Sequence, residues 1–566
     1  MRTKLYAILS LVGILALTSC SKLGELSADN FIITPSPLEA VSGNVPVTIN
    51  GRFPEKYMKK KAVVTVTPVL RYANGETVGQ SATFQGEKVQ GNDQTISYKL
   101  GGNYTLRNQF AYVPDMLESE LYLTFAARIG KKEVSVPEVK VANGVISTST
   151  LVEKTVGSAH TEASVDAYQY AIAQTKQAQI KYLIQQSKVR TSELETTSVQ
   201  DFIKTLRDIK ENQKGYQLDN IEVSAYASPD GGMKLNTKLA ADREKSSAGY
   251  LKGELKNMDF DAYVDSKYTA EDWDGFQELV SQSNMQDKEV VLRVLSMYKD
   301  PEEREKQIKN ISAAFTELTE EILPELRRAR LTINYNIIGR SDDEIQAQYK
   351  QDATKLSVEE LLYAATLTEN VAEQEDIYKT TVKNYPADYR AYNNLATLAY
   401  AKGDLNQAKS YLDKAAEKNA KAVEVNANKA LVALAEGNVE QAEFNLSRAA
   451  TAKNYGEVLG NLQIAKGQYA QAVSSFGGVE TNSSALAQIL NKDYANALLT
   501  LNRVENPDAM TEYLKAVAAI RSNLKNTSMD YLKAAFEKDA SLKARAAKDL
   551  EFRSLFGNAN FQRLVK

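Results

Sequence analysis

The chain has 566 residues, more than one hydrophobic core organises, so we expect several domains. Its 69 basic and 72 acidic side chains give a net charge of −3, which gives no indication of nucleic-acid binding. A single cysteine excludes an intrachain disulfide and a cysteine-rich zinc site, and a single histidine leaves little room for histidine-based catalysis. We therefore expect neither a metal nor a cofactor.

The N-terminus has the pattern of a secreted protein. Residues 1–19 combine a basic start with an apolar run over 5–17, which is typical of a signal peptide. The ending L-T-S-C resembles the bacterial lipobox, whose cysteine is acylated; the alternative is an ordinary signal peptide with a chance cysteine. The resemblance implies a lipid anchor on Cys20, a tether over 20–30 and an outer-membrane location, with the leaflet left open.

Residues 31–145 predict an all-β domain. Short β-branched or alternating runs recur there, and Asn74-Gly75 and Gly130-Lys131 indicate hairpin turns between them. Regularly spaced short strands favour a β-sandwich. Nothing in this region has a chemical signature, so we interpret the domain as a spacer or an adhesive module.

Residues 146–179 are interpreted as a linker that contains a helix, because they are polar at first and helix-prone later. This segment holds the only histidine, His160, within a stretch of small and polar residues typical of a loop. We expect this histidine to be solvated rather than bound to a ligand.

The most informative stretch is 219–255. Apolar and polar residues alternate over 221–227, which predicts a strand, and a Ser-Pro-Asp-Gly-Gly turn leads into a helix. The helix carries Asn236, Leu239 and Arg243 at relative positions 0, +3 and +7. This pattern resembles the OmpA-like peptidoglycan-associating domain, whose second helix starts N-x-x-L-[SA]-x-x-R.

The resemblance implies an α+β domain over 180–340 with a helical insertion at about 259–323. In that family the arginine binds the carboxylate of diaminopimelate in the cell-wall peptide. An aspartate fifteen residues before the arginine binds the amine, and Ser228 occupies that position here. The candidate pocket residues are Ser228, Asp230, Asn236 and Arg243. Because the aspartate is missing, we expect weak or absent peptidoglycan binding.

Residues 341–566 are helical and repetitive. One short motif with a turn signal recurs at 402–408, 436–442, 466–472 and 491–497. The first interval matches the tetratricopeptide period of about 34 residues, and the next two are shorter. The best unit resembles that repeat at Tyr392, Leu395, Ala396, Gly403, Ala408, Leu412 and Ala415. The resemblance implies an all-α tetratricopeptide solenoid, which aromatic residues over 543–565 close as a terminal cap.

Such arrays resemble peptide-binding modules that line a concave face with the first helix of each repeat. The residues expected on that face are polar and suit an extended peptide or a partner loop: Arg390, Asn393, Thr397, Tyr400, Asn454, Glu457 and Asn461. The alternative interpretation is a solvated inner face without a ligand, which any solenoid has.

The predicted architecture is therefore a β-sandwich, a central OmpA-like domain and a tetratricopeptide solenoid on a lipid anchor. It resembles lipoproteins of the Bacteroidota that join these last two domain types. The favoured function is a non-enzymatic scaffold that binds a protein or peptide at the outer membrane, because no nucleophile and base arrangement is present in the sequence. The alternative is a peptidoglycan-associating tether.

Overall fold

The structure, a computed structural model, describes residues 22–566, except for the side chains of residues 312–314. The predicted signal peptide and Cys20 lie outside the described residues. Two compact units are present. The first comprises the described residues up to Asp166 together with Leu361–Lys566, and the second is Ala167–Glu360. No helix in the described part is both long and apolar enough to cross a membrane.

The N-terminal part of the first unit is an all-β domain, as predicted. Its strands are β1 Phe31–Thr34, β2 Leu38–Glu39, β3 Asn44–Phe53, β4 Ala62–Tyr72, β5 Gly75–Val78, β6 Ala82–Gly86, β7 Gln94–Ile96, β8 Gly102–Ala111, β9 Ser119–Ile129, β10 Lys132–Ser135, β11 Val139–Asn143 and β12 Val145–Ile146. One sheet has the order β1-β3-β8, and a larger one has the order β10-β9-β4-β6-β7, with β11 on β9 and β5 on β4. Strands β12 and β2 form a short parallel pair.

Both main sheets contribute to one core, because alternate residues of each strand face inwards. In β3, buried Val45, Val47 and Ile49 alternate with more exposed residues. Both predicted hairpins form: β4 pairs with β5 across Asn74, and β9 pairs with β10 across Gly130. The domain thus has the layered organisation that the strand pattern predicts.

The second unit is built on a four-stranded sheet. Its strands are β13 Ala171–Lys181, β14 Tyr216–Tyr226, β15 Val264–Thr269 and β16 Arg328–Ile338, in the order β13-β16-β14-β15. Only β14 and β15 are parallel. Three helices fall between the first three strands: α2 Thr191–Leu194, α3 Thr197–Glu211 and α4 Met233–Asn257 (α1, Val152–Thr155, belongs to the first unit). The apolar residues of α3 recur at helical spacing and are buried: Val199, Phe202, Ile203, Leu206 and Ile209.

Two predicted boundaries of this unit are wrong. The first strand begins at Ala171, inside the predicted linker. The sequence did not indicate this start, because the early residues of the strand are exposed on both faces and show no alternation. The predicted helical insertion at 259–323 contains the polar strand β15 before its helices. These are α5 Trp273–Gln282, α6 Lys288–Met297, α7 Pro301–Lys309, α8 Ser312–Glu317 and α9 Leu323–Leu326, with a π-helical turn at Leu318–Ile322. The unit closes with α10 Asp342–Asp352.

The rest of the chain is a row of packed helix pairs, as the repeats predict. Its helices are α11 Val358–Ala364, α12 Val371–Asn384, α13 Arg390–Ala401, α14 Leu405–Lys418, α15 Val423–Ala435, α16 Val439–Leu446, α17 Tyr455–Ala465, α18 Tyr469–Phe476, α19 Asn482–Leu490, α20 Tyr494–Asn502, α21 Ala509–Arg521, α22 Lys525–Lys538, α23 Leu542–Ala546 and α24 Ala559–Leu564. The first helices of the repeats are α13, α15, α17, α19 and α21. Buried Phe552, Leu555 and Phe561 close the C-terminal end, as the predicted cap requires.

The turn inside each repeat has the same left-handed backbone. Gly403, Gly437 and Gly467 follow a first helix with φ of 77°, 73° and 72°. The shortened fourth repeat places Lys492 there with φ of 66°, and the fifth places Asn523 with φ of 61°. Glycine adopts this conformation without steric cost, which explains why it marks the first three turns in the sequence.

Candidate functional site

A segment that we call the strap, residues 147–166, lies across the first helices of the solenoid; we call the face that it covers the groove. The helical half of the strap, residues 147–158, includes α1 Val152–Thr155 between two 3₁₀ turns. Leu151 and Val152 join the apolar core formed by α19 and α21, and Val156 joins the core of earlier repeats. The helical half is therefore part of the packed interior.

Polar contacts fix the helical half along the same path. Thr155 Oγ1 lies 2.9 Å from Ser483 Oγ on α19. The Tyr400 hydroxyl on α13 donates to the carbonyl of Val156 at 2.5 Å. Burial raises the pKa of Tyr400 far above its usual value, so this hydroxyl is a permanent donor.

The extended half of the strap, residues 159–166, is bound through its backbone. Asn428 accepts from the Glu162 N–H at 2.9 Å and donates to the Glu162 carbonyl at 2.8 Å. Asn394 does the same for Ser164, at 2.7 and 3.0 Å. These two carboxamides act on the strap as a neighbouring strand acts in a sheet.

The same arrangement extends to the next repeat. The carboxylate of Glu457 accepts from the His160 N–H at 3.2 Å, and Asn454 donates to the His160 carbonyl at 2.8 Å. His160, Glu162 and Ser164 thus have both backbone groups bound by the groove. They are spaced by two, so they lie on one side of an extended chain.

Side chains add selectivity to this backbone recognition. Ser164 is buried, and its hydroxyl donates to Glu424 at 2.7 Å while accepting from Asn393 at 3.2 Å. Glu162 accepts from the backbone N–H of Lys453 at 2.6 Å, one residue before the N-cap of α17. Val165, in contrast, leaves 68% of its surface exposed. The groove therefore contacts the side chains at alternate positions of the strap.

Glu457 is the buried charge of this site. Its side chain is 4% exposed and lies 3.0 Å from Nδ1 of His160, whose own side chain is 65% exposed. Burial raises the pKa of Glu457, and the contacts with His160 offset part of that rise. The prediction that His160 is a solvated loop residue is wrong in this respect: its ring reaches solvent, but its backbone and Nδ1 contact the groove.

The seven groove residues expected from the sequence divide into two groups. Asn393, Tyr400, Asn454 and Glu457 contact the strap. Arg390 pairs with Asp388 at 2.8 Å and also reaches the strap, because its Nη1 donates to the Val165 carbonyl at 3.5 Å. Thr397 donates to Asn394 of its own helix, and Asn461 donates to the carbonyl of Glu457. The expectation of a solvated face is wrong, because the strap covers it.

Sequence reasoning missed two of the most important groove residues, Asn394 and Asn428. They occupy the same position of successive repeats, one repeat period apart. An asparagine that recurs at the repeat period on a first helix is a signal for backbone recognition, and it was present in the sequence. Glu424, which binds Ser164, carries no comparable signal.

The second unit contains the candidate pocket. Ser228, Asp230, Asn236 and Arg243 line one cavity of about 100 Å³, so the structure brings the four candidate residues together. One strand end, one turn and one helix supply all of them.

Arg243 is held in this cavity by its own surroundings. It is 1% exposed and donates to the carbonyls of Gln186, Tyr226 and Leu183, at 3.0, 2.9 and 3.4 Å. Burial lowers the pKa of Arg243 to about 10, so this side chain stays charged at neutral pH.

Asp230 faces this cavity but already has a cationic partner. Arg327, which the sequence did not reveal, pairs with Asp230 at 3.2 Å and donates to Ser228 Oγ at 3.3 Å. Ser228 in turn donates to Asp230. Asn236 donates to the carbonyl of Gly231 at 2.6 Å, which holds the turn. An incoming ammonium group would therefore compete with Arg327 for Asp230.

No group of three or more histidine, cysteine, aspartate or glutamate side chains with metal-binding geometry occurs within residues 22–566. The acidic residues of the groove and of the pocket accept from nitrogen and hydroxyl donors of the chain. The arrangement can therefore bind a peptide backbone in the groove and a small charged group in the pocket.

Comparison with known proteins gives structural neighbours only. No protein-family model matches the chain, and no curated protein matches it. A tetratricopeptide repeat protein from Parabacteroides merdae is 14% identical, with a TM-score of 0.29, over 38% of this chain and 91% of its own. The Cut9-Hcn1 hetero-tetramer of APC/C is 13% identical, with a TM-score of 0.28, over 59% and 76%. Yeast Tom70 is 10% identical, with a TM-score of 0.24, over 66% and 93%.

Proposed function

We propose that the chain is a non-enzymatic scaffold of the cell envelope that binds an extended peptide segment of a protein partner in its groove. The observation that carries this proposal is the recognition of His160, Glu162 and Ser164, each through both backbone groups. A groove that binds backbone in this way accepts an extended peptide whatever its origin. The proposal places the protein at the outer membrane, held by acylated Cys20.

The test is crosslinking in intact envelopes followed by capture of the full chain. We expect Asn394→Ala combined with Asn428→Ala to lose the captured partner, because two of the three positions bound through both backbone groups lose those bonds. Asn406→Ala, an exposed substitution on α14, is the matched control and should retain it. Unchanged capture by the double variant contradicts the proposal.

Location is tested separately through the lipid anchor. We expect Cys20→Ala to leave the protein soluble or unprocessed, because no helix of the described part can replace the anchor. If this variant still fractionates with the outer membrane after a high-salt wash, the anchor lies elsewhere.

A second candidate function is a peptidoglycan-associating tether that works through the pocket of the second unit. Arg243 in a small polar cavity favours it, because a guanidinium binds carboxylates well. The pairing of Asp230 with Arg327 opposes it, since the zwitterionic ligand also needs an acceptor for its ammonium. We therefore rank this function below the scaffold.

A further inference from the structure

The groove has acceptors that the strap leaves unfilled. The side-chain oxygens of Asn454 and Asn461 are buried and have no donor within the described part of the chain. Asn454, the N-cap of α17, lies three residues before Glu457, and Asn461 lies four residues after it. Of these residues, Glu457 and Asn454 contact the strap at His160, and Asn461 is bonded to the backbone of Glu457.

The His160 side chain satisfies few of these acceptors. One ring nitrogen contacts Glu457, and 65% of the side chain remains in solvent. A buried acidic group without a full cationic partner is costly, because burial removes its hydration. A lysine carries a full positive charge and three rotatable donors on a flexible stem, so it pairs with the buried Glu457 carboxylate better than an imidazole does and keeps donors for further acceptors.

The two other bound positions define the rest of the ligand. Glu162 places its carboxylate on the Lys453 N–H, close to the start of α17, where negative charge is favourable. Ser164 sits in a buried position between Glu424 and Asn393, which admits only a small hydroxyl side chain. Ala163, which alternates with them, is exposed, and the half-buried Thr161 hydroxyl has no hydrogen-bond partner among the described residues.

We propose that the groove's partner is an extended peptide with lysine, glutamate and serine at alternate positions, which displaces the extended half of the strap. The lysine takes the place of His160, and the other two take the places of Glu162 and Ser164. This inference rests on the proposed scaffold function and names its ligand chemistry.

Displacement is physically reasonable because the two halves of the strap are held differently. Within the extended half only Ala159 and Ser164 are buried. Ala159 packs on the apolar core, and the other contacts described above are hydrogen bonds to groove side chains and to the Lys453 N–H, which an incoming peptide can replace one for one. The helical half keeps its apolar side chains in the core and stays in place. The tether gives the strap an effective concentration in the millimolar range, so an incoming peptide needs the better fit that lysine supplies.

The test uses the full chain in detergent and a fluorescent peptide with the sequence of residues 158–167, either unchanged or with His160→Lys. Ser164→Glu in the chain expels the extended half of the strap by placing a second acid against Glu424, and leaves the groove intact. Ala163→Glu, at the exposed neighbouring position, is the matched control. Fluorescence anisotropy measures binding, and circular dichroism checks that the helices remain.

We expect the Ser164→Glu chain to bind the His160→Lys peptide about tenfold more tightly than the unchanged peptide, because a charge-assisted bond replaces a weaker one. Adding Glu457→Gln should abolish that preference. The wild-type and Ala163→Glu chains should bind both peptides at least about tenfold more weakly, because their straps compete.

Several results overturn the proposal: no binding by a helical Ser164→Glu chain, no preference for the lysine peptide, or a preference that survives Glu457→Gln. Concentration-dependent dimers that the peptide dissociates would instead identify the strap of a second copy as the occupant. Independently, His160→Lys in the chain should slow amide exchange at Glu162 and Ser164, and faster exchange contradicts the proposal. If capture from envelopes depends on Asn428 but these peptides do not bind, the scaffold stands and the lysine pattern is wrong.

Discussion

The groove and the pocket both bind groups of their own chain, but these groups differ in kind. In the groove, side chains bind the backbone of a segment that lies far away in sequence. In the pocket, Arg243 binds carbonyls of Leu183, Gln186 and Tyr226, which belong to the strand ends and turns that form the pocket itself. Both sites are polar and buried, but the extended half of the strap is held mainly by hydrogen bonds to side chains of the groove, whereas the carbonyls that bind Arg243 are part of the pocket.

This difference shows why burial alone does not identify a binding residue. Arg243 has the residue type and position expected of a ligand-binding arginine, but three of its five N–H groups hold the backbone. Asn394 and Asn428 are equally buried, but an incoming peptide offers the same N–H and carbonyl groups as the strap. We therefore expect substitutions in the pocket to change stability first and substitutions in the groove to change binding first.

Arg243→Ala tests the pocket and has the largest expected effect. We expect the free energy of unfolding of the second unit to fall by about 3–5 kcal/mol, because three carbonyls lose their donor and a cavity remains. Native-state hydrogen exchange of β14 measures this change. Arg207→Ala, exposed on α3, is the control and should change it by less than about 0.5 kcal/mol. A loss below about 1 kcal/mol for Arg243→Ala would show that this arginine is held for a ligand.

Leu151→Ala tests whether the helical half of the strap is as structural as Arg243. Leu151 is 2% exposed in an apolar core, so we expect a loss of about 2–4 kcal/mol in the free energy of unfolding of the first unit. Val165→Ala, in the extended half, should cost less than about 0.5 kcal/mol because that side chain faces solvent. Guanidinium denaturation compares the two variants, and equal losses contradict the division of the strap into two halves.

Asn428→Ala tests the extended half directly. The variant loses both bonds to Glu162 and should weaken strap binding by about 1–3 kcal/mol. Amide exchange at Glu162 and Ser164 should accelerate, while exchange within α19 stays unchanged. Asn406→Ala should change neither. If α19 exchanges faster as well, the extended half is integral to the solenoid and the contrast between groove and pocket fails.

The sequence predicts the helices, strands and turns that form the groove and the pocket better than it predicts the contacts that these elements make. The repeat turns were predictable because Gly403, Gly437 and Gly467 meet a left-handed backbone requirement that few residues tolerate. The pocket residues from Ser228 to Arg243 were predictable because one strand, one turn and one helix position all of them. Periodicity and turn chemistry are local, so they can be read from neighbouring residues.

The distant residues that contact these elements were not predictable, because sequence patterns of this kind are local. The strap meets Asn394 and Asn428 across sequence separations of 230 and 266, and Arg327 meets Asp230 across 97. No local pattern encodes such pairs. The strap itself has neither alternation nor helical periodicity in its extended half, because its backbone is bound by side chains rather than by a strand or a helix.

The pH dependence of the free energy of unfolding also distinguishes the groove from the pocket, with a smaller expected effect than the substitutions above. Burial raises the pKa of Glu457, so the folded chain keeps a proton where the unfolded chain has lost it. Between the ordinary glutamate pKa of about 4.3 and the raised value, wild-type stability therefore falls as pH rises, by at most about 1.4 kcal/mol per pH unit. Arg243, with a pKa of about 10, stays charged throughout this window.

Glu457→Gln replaces the carboxyl group that holds this proton by an amide, which does not titrate. His160, the ionisable neighbour, remains in both chains. We expect the stability difference between wild type and variant to change through the same window and to be constant above it. Thermal denaturation of both chains from about pH 4 to about pH 8 measures this difference. A constant difference, or a wild type that gains stability relative to the variant as pH rises, contradicts the buried state of Glu457.

Arg327→Ala has the smallest expected effect. It tests whether the pocket binds peptidoglycan once Asp230 has lost its cationic partner. The substitution removes the cation that now pairs with Asp230, so this carboxylate becomes an acceptor for the ammonium of a diaminopimelate. We expect sedimentation with purified peptidoglycan to rise from weak or absent by up to about tenfold, which corresponds to one charge-assisted bond. Adding Asp230→Asn should remove most of the gain, because a neutral amide oxygen accepts from the ammonium without the opposite charge. Tight binding by the wild-type chain would contradict this expectation, since it would mean that Arg327 does not block Asp230, and the tether would then replace the scaffold as the favoured function.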